Sequence, residues 1–282
     1  MKTNQTKRVW MITGASRGIG AEIAKAALAA GDLVVATARD PQAVIAKLGA
    51  QDALLALALD VTSERSVAAA VEAAVAQHGQ IDVLVNNAGY GIIGAVEETP
   101  GDDVRRLYET NVFGLLTVTR AVLPHMRKRR AGHIMNLSSV GGYQSGPGFG
   151  VYCSTKFAVE GISEALHGEL APLGIAVTVI EPGYFRTEFL EASSVVETKG
   201  VIADYADTSG KVRTIAKQVS LNQPGDPVRL AKAVVELASA KAPPLRLPLG
   251  TDTIAAIEAK NALVATELAA WRSVAASTDF PK

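Results

Sequence analysis

Apolar residues along this chain fall into short runs bounded by glycine or polar residues. The runs alternate with longer stretches in which apolar positions recur every three or four residues. Val9–Thr13, Leu33–Thr37, Leu54–Leu59, Val83–Asn86, His133–Leu137 and Ala176–Ile180 have the length and composition of buried parallel strands, and Leu245–Leu247 makes a seventh. Ile19–Ala30, Pro41–Leu48, Ser63–His78, Val104–Met126, Tyr152–Leu170 and Pro227–Ser239 have helical spacing, with Ser63 as an N-cap and Gly31 and Gly79 as stops. Strict alternation of strand and helix predicts an α/β fold. It is expected to be a doubly wound parallel sheet of about seven strands with helices on both faces.

Two regions break the alternation. The stretch 184–224 has no strong period, and a connection of that length reads as a functional lid over a substrate. Thr251–Trp271 reads as an amphipathic helix that covers the sheet or a neighbouring subunit. The expected organisation is one domain over residues 1–282, with a lid at 184–224 and a C-terminal extension at 251–282.

Composition narrows the function. With 48 % hydrophobic residues, 282 positions suffice for a substantial core. Twenty-eight basic and 28 acidic residues leave no net charge, which argues against nucleic acid or an anionic membrane as the main partner. The basic run Arg127–Arg130 suits a helix C-terminus. A lone Cys153 excludes an intrachain disulfide framework, and it is expected to pack about a third of a turn away from Tyr152 rather than act as a nucleophile. His78, His125, His133 and His167 lack metal-ligand spacing, so no metal is expected. The N-terminus has no secretory pattern, and no run of about 18 apolar residues suggests a membrane span. A reducing, cytoplasmic setting follows as the expectation.

The chemistry concentrates in NLSSVGGYQSGPGFGVYCSTKFAVE, residues 136–160. Lys156 lies four positions after Tyr152, one turn away on the same helical face. Ser139 lies thirteen positions before Tyr152 in a glycine-rich loop, with Ser138 as its competitor. A free phenol near pKa ~10 is a poor acid at neutral pH, and a nearby ammonium is expected to lower that value. A proton donor, its tuner and a hydroxyl contact for a carbonyl oxygen suit hydride chemistry.

A second motif, Thr13-Gly14-Ala15-Ser16-Arg17-Gly18-Ile19-Gly20, joins the first strand to the first helix. Gly14 permits a tight turn, Gly18 allows backbone to approach a pyrophosphate, and Gly20 allows close helix packing. Gly14, Ser16, Arg17, Gly18, Ile19 and Gly20 are therefore candidate cofactor contacts. The second strand ends Thr37-Ala38-Arg39, where an NAD site would want an acid. Arg39, flanked by Arg17, suits a 2′-phosphate and hence NADP(H), while Asp40 stands one step further as an alternative ribose acid.

These residues together resemble the short-chain dehydrogenase/reductases, over Val9 to about Gly250. The resemblance includes the glycine turn, Asp60 (LDVT), Asn86-Asn87-Ala88-Gly89, Asn111 (ETNVFG), Ser139, Tyr152, Lys156, and Pro182-Gly183 with Thr187. It implies a Rossmann-type fold and a carbonyl–alcohol oxidoreductase. In it Tyr152 exchanges the proton, and Lys156 binds the nicotinamide ribose and lowers the tyrosine pKa. Ser139 holds the substrate oxygen, and Asn111 anchors a relay water. It further implies that Asp60 and Val61 border the adenine, that Asn87, Ala88 and Gly89 flank the adenosine ribose, and that the Pro182–Phe185 backbone and Thr187 hold the carboxamide. Homodimers or homotetramers are common in such enzymes, packing the helices equivalent to Val104–Met126 and Tyr152–Leu170. Ala158, Gly161 and Ala165 would suit that interface or close packing on the sheet.

For the substrate, Tyr90, Tyr143 and Phe149, with Tyr184, Phe185 and Phe189 at the lid base, suggest an apolar pocket for a hydrophobic ketone, aldehyde or the matching alcohol. The stretch around Ser139 and VYCSTKFAVEG is similar to the hydroxysteroid branch of the family. A non-catalytic cofactor sensor or scaffold is the reading from another class, and the retained Ser139, Tyr152 and Lys156 count against it.

Overall fold

The computed structural model describes residues 7–192 and 194–280. The outermost positions of the expected domain, 1–6 and 281–282, lie outside them. Seven strands form one parallel sheet: β1 (Val9–Thr13), β2 (Leu33–Ala38), β3 (Leu54–Ala58), β4 (Val83–Asn86), β6 (Gly132–Leu137), β7 (Ile175–Pro182) and β9 (Arg246–Leu249). Their order is β3-β2-β1-β4-β6-β7-β9, so the winding reverses between β1 and β4. Ligands of such sheets bind beyond the carboxyl ends of the strands at that reversal.

Alternation along the strands feeds two core layers. Trp10 and Ile12 of β1 join Val34, Ala36, Val83, Val85 and Met135 beneath α1 (Gly18–Ala29) and α8 (Pro227–Leu237). Val9 and Met11 join Val35, Leu84, Ile134 and Val177 beneath α3 (Glu64–His78) and α5 (Gly114–Arg129) on the other face. Both faces being covered, the strands need apolar residues at every position, which is why they read as continuous runs. Ser63 caps α3 by accepting from the Ser66 amide at 3.3 Å. Asp40 caps α2 (Pro41–Leu48) by accepting from the Gln42 amide at 2.9 Å.

Two expectations need correction, and a third gains detail. Val104–Met126 is not one regular helix: α4 (Gly101–Tyr108) passes through a wide π-turn at Glu109–Phe113 into α5, which runs on to Arg129. The stretch 184–224, where the sequence shows no strong period, has regular elements of its own. It contains a 3-10 turn at Glu188–Leu190, the strand β8 (Val195–Glu197), turns over Ala203–Gly210 and the helix α7 (Lys211–Val219). β8 pairs in parallel with β5 (Gly91–Ile93), and the ends of the excursion meet where the Gly225 amide donates to the Tyr184 carbonyl at 2.9 Å. The C-terminal helix α9 (Thr251–Ala276) is not amphipathic. Leu263, Leu268 and Trp271 all lie exposed on it, and Thr253 is its one buried residue among those described.

The helix α6 (Gly150–Leu170) turns Lys156, Val159, Glu160 and Ser163 inward. Gly161 and Ala165 are exposed, so they do not pack on the sheet. Among the described residues, no helix is long and apolar enough to cross a membrane.

Candidate functional site

The carboxyl ends of six strands open into one cleft of about 1560 Å3. Its walls include Gly14 and Gly18 after β1, Arg39 after β2, Asp60 and Val61 after β3, Asn87–Tyr90 after β4, Leu137–Gly141 after β6, and Pro182–Phe185 after β7. Residues as far apart in the chain as Gly14 and Phe185 thus reach one place because parallel strands all end on the same side.

The glycine turn is shaped to receive a phosphate group. Gly14 and Gly18 both have positive φ (66° and 55°), where a side chain would be strained. A Cβ on Gly18 would meet nothing nearer than Thr187 Cβ at 3.9 Å, so its backbone faces open cleft. A Cβ on Gly20 would collide with the Asn87 amide and the Gly14 carbonyl. Asn87 itself pins the turn, its Nδ2 donating to Thr13 O at 2.8 Å and Gly14 O at 3.0 Å. Its Nδ2 is therefore committed to the turn, and Asn87, Ala88 and Gly89 line the cleft beside it. A bend with open backbone at the start of α1, continuous with a long cleft, fits a dinucleotide pyrophosphate.

Sequence inspection missed Thr13. Its hydroxyl oxygen accepts from the backbone amides of Asn87 at 3.0 Å and Ala88 at 3.0 Å, tying β1 to β4 beneath the turn. A polar residue ending an apolar strand was the available signal. Asp60 accepts from the Thr62 hydroxyl at 2.7 Å and its amide at 3.0 Å. Those bonds hold its carboxyl below the ordinary range against a small opposing effect of burial, and the Arg39 charge adds to them. Arg17 and Arg39 line the cleft, whereas Asp40 is not among its lining residues. Ser16 and Ile19 line it as well. Val61 packs so tightly under Gly114 that no side chain fits there.

Ser139, Tyr152 and Lys156 line the other end of the cleft. A Cβ at Gly141 would lie 3.0 Å from Cys153 Sγ, 3.5 Å from Ser139 Oγ and 3.7 Å from Tyr152 Cε1, so the glycine lets the serine loop close tightly against α6. Cys153 is buried in a small apolar cluster with Ile92, Leu107 and Val151, the packing role expected of it, while also bordering the cleft, and burial pushes its thiol pKa up. Ser139 is the serine nearer the phenol: its Oγ and the Tyr152 ring both approach Gly141, whereas Ser138 Oγ and Glu160 both approach Gly142. The Tyr152 ring sits between Phe149 (6.2 Å, edge-on) and Phe189 (5.7 Å).

The electrostatics overturn the expected acidic phenol. Burial raises the Tyr152 pKa above its ordinary value, and the Ser139 hydroxyl only partly offsets this. Burial also lowers Lys156 to about 8, against a smaller upward pull from Glu160. Lys156 Nζ donates to the Leu137 carbonyl at 2.7 Å and lies 5.8 Å from the Tyr152 ring centroid.

Other expected positions divide. Asn111 lies in the π-turn, where its side chain makes three hydrogen bonds. Nδ2 donates to Tyr90 O at 2.9 Å and Thr155 Oγ1 at 3.1 Å, and Oδ1 accepts from the Tyr90 amide at 3.1 Å. It ties the Tyr90 loop to α6, with both amide hydrogens used and one acceptor site on Oδ1 left over. Tyr143 lies away from the cleft lining. Its hydroxyl donates to Asn261 of α9 at 2.5 Å, and its ring lies 5.8 Å from the Arg246 guanidinium. Phe149, Tyr184 and Phe189 do line the cleft, as do Pro182, Gly183 and Thr187. One wall unforeseen from sequence comes from α7, through Val212, Ile215, Ala216 and Val219. A buried ion pair secures that wall: Arg213 Nη2 donates to Glu98 Oε2 at 2.5 Å, and Glu98 also accepts from the Ala95 and Ile202 amides. Among the described residues, no three His, Cys, Asp or Glu side chains cluster as a metal site.

The model of the short chain dehydrogenase family matches residues 8–197. An oxidoreductase of Botryotinia fuckeliana, BOA17, is 40 % identical over 250 residues, covering 88 % of this chain and 90 % of that one. A 3-ketodihydrosphingosine reductase of Bacteroides thetaiotaomicron is 39 % identical over 243 residues, 86 % and 88 % of the two chains. The crystal structure of a short-chain dehydrogenase from Streptomyces avermitilis superposes with a TM-score of 0.90 at 40 % identity, covering 98 % of this chain and 100 % of that one. A Brucella melitensis 3-ketoacyl-(acyl-carrier-protein) reductase complexed with NADH has a TM-score of 0.72 at 31 % identity, covering 86 % and 96 %. ElxO with NADP bound has a TM-score of 0.73 at 27 % identity, covering 89 % and 100 %. With the glycine turn, the Ser139–Tyr152–Lys156 wall and these likenesses in agreement, the chain belongs to the short-chain dehydrogenase/reductase family of oxidoreductases.

Proposed function

We propose that this protein is an NADP(H)-preferring carbonyl reductase acting on a ketone or aldehyde with an extended apolar body. The observation that carries the cofactor preference is the fate of the second strand's end. Arg39 borders the cleft there, while the nearest acid, Asp40, caps α2 and lies outside the cleft lining. A guanidinium fits a 2′-phosphate bidentately, and without a free acid the 2′-hydroxyl of NAD(H) has no partner from this strand.

Reduction needs a hydride at the carbonyl carbon and a proton at its oxygen, and the bound nicotinamide supplies the hydride. Burial keeps the proton on Tyr152 at neutral pH, which suits a donor. As Tyr152 Oη passes that proton to the carbonyl oxygen, the Lys156 ammonium compensates the phenolate left behind. Ser139 donates a hydrogen bond to the same oxygen and fixes its position. Phe149, Phe189, Leu190, Val196, Ile215 and Val219 offer the substrate body an apolar wall. The likeness to a 3-ketodihydrosphingosine reductase supports a long aliphatic body.

The test is a steady-state screen of ketones and aldehydes of increasing alkyl length with each cofactor. NADPH should serve at least roughly 10-fold better than NADH in kcat/KM, the scale of one charge-assisted contact. KM should fall as the alkyl chain lengthens. Equal efficiency with both cofactors, or no gain with chain length, removes the corresponding half of the reading.

A further inference from the structure

Behind the reactive wall lies a buried cluster of charge that the proposed reaction does not use. Glu160 sits one turn after Lys156 on the inward face of α6, and Glu181 faces it from β7; they are 5 % and 0 % exposed. Arg246 of β9 bridges them. Its Nη1 donates to Glu160 Oε2 and, at 3.0 Å, to Glu181 Oε1, while Nη2 reaches Glu164 Oε1 at 3.4 Å. The second oxygens, Glu160 Oε1 and Glu181 Oε2, are buried and have no hydrogen-bond partner among the described residues. Ser138 Oγ is likewise buried without one, and both it and Glu160 Oε1 crowd the space over Gly142. Two buried carboxyls on one shared guanidinium nitrogen favour a state holding a single extra proton, since like charges so close resist joint ionisation.

The cluster is in register with the site. Three successive residues at the end of β6 each meet a residue of α6. Leu137 O accepts from Lys156, Ser138 faces Glu160, and Ser139 faces Tyr152. We infer that Glu160 is a positioning residue: its charge, shared with Glu181 across Arg246, sets how readily Lys156 keeps its ammonium and holds the Ser138–Gly142 turn against α6. The inference rests on the functional reading above for the role of Lys156. The groups facing Glu160 are Lys156 and Glu164 from its own helix, Glu181 from β7, Arg246 from β9 and Ser138 from the turn, with the Tyr143 ring over Arg246. Supporting this, the pKa of Glu160 is raised to about 7, by burial first and by Glu181 among the further causes, and Glu160 in turn pulls Lys156 upward.

Isosteric variants with opposite expected signs provide the test. Glu160→Gln removes the anion beside Lys156, so the ammonium is lost at lower pH. Glu181→Gln relieves the carboxyl pair, leaves Glu160 more fully ionised and moves the same loss to higher pH. The readouts are the alkaline limb of kcat/KM in carbonyl reduction and, independently of turnover, the pH at which NADPH affinity measured by fluorescence begins to fall. A downward displacement of about half to one pH unit is expected for E160Q, and a smaller upward one for E181Q, because Glu160, at about 7, is already largely ionised where Lys156 titrates near 8. Unmoved midpoints, or shifts in the same direction, overturn the inference even when the melting temperature drops. If E160Q does not fold, the upward shift in E181Q decides alone. If wild type reduces no carbonyl, the functional reading fails, while the NADPH midpoints still decide this one.

Discussion

Lys156 Nζ donates to the Leu137 carbonyl at 2.7 Å, so the ammonium is anchored to the end of β6 rather than to the phenol one turn before it. The geometry separates two functions often merged in a tyrosine–lysine pair. Burial holds the proton on Tyr152, and the lysine lies 5.8 Å from the ring centroid, where in the proposed reaction it would balance the charge formed when that proton leaves.

Tyr152→Phe should abolish carbonyl reduction, by about 10²- to 10⁴-fold in kcat, the usual worth of a general acid. NADPH binding should persist, because the ring still fills the space between Phe149 and Phe189. Stopped assays with excess enzyme measure the residual rate, and turnover within 10-fold of wild type would remove the tyrosine from its role.

Arg39→Asp places an acid where the 2′-substituent is expected. The ratio of kcat/KM for NADPH over NADH should fall by roughly 10- to 100-fold, corresponding to the loss of a charge-assisted bond. A ratio that does not move would assign the discrimination to Arg17 instead.

His133 of β6 is 7 % exposed, with Nε2 3.0 Å from Thr178 Oγ1, and burial depresses its pKa to about 4. The unfolded chain, with an ordinary pKa near ~6.5, takes up the proton first, so this contribution to stability is intact above that value and is lost as pH falls toward 4. The full loss is on the order of 3 kcal/mol. Urea midpoints at pH 7 and pH 4.5 should drop less in His133→Gln than in wild type. Equal drops would exonerate the histidine.

Arg213→Met strands the buried Glu98 carboxylate and frees α7 from the body of the protein. Melting should fall by several degrees, as expected when a buried pair loses one member. KM for long-chain carbonyls should rise more than KM for short ones, because α7 supplies the far apolar wall. Hydrogen exchange would localise the loosening to 195–219; uniform protection there would argue that α7 is held by packing alone.

The strand–helix order of this chain was legible without coordinates, because burial on both sheet faces forces continuous apolar runs and each helix keeps its own period. The glycine turn and the Ser139, Tyr152 and Lys156 spacing were legible for a similar reason: each depends on neighbours close in sequence, a bend before a helix or one helical turn. What the order of residues left hidden depended on distant partners. β8 exists because β5, about a hundred residues earlier, pairs with it, and α7 is held by Glu98 across a similar gap. Tyr143 turned to α9, and Asn111 spent its amide on Tyr90 and Thr155, because hydrogen-bond partners are assigned by the packed chain. The direction of the Tyr152 shift also belonged to the tertiary structure. Spacing put a cation nearby, but only packing decided that desolvation outweighs it.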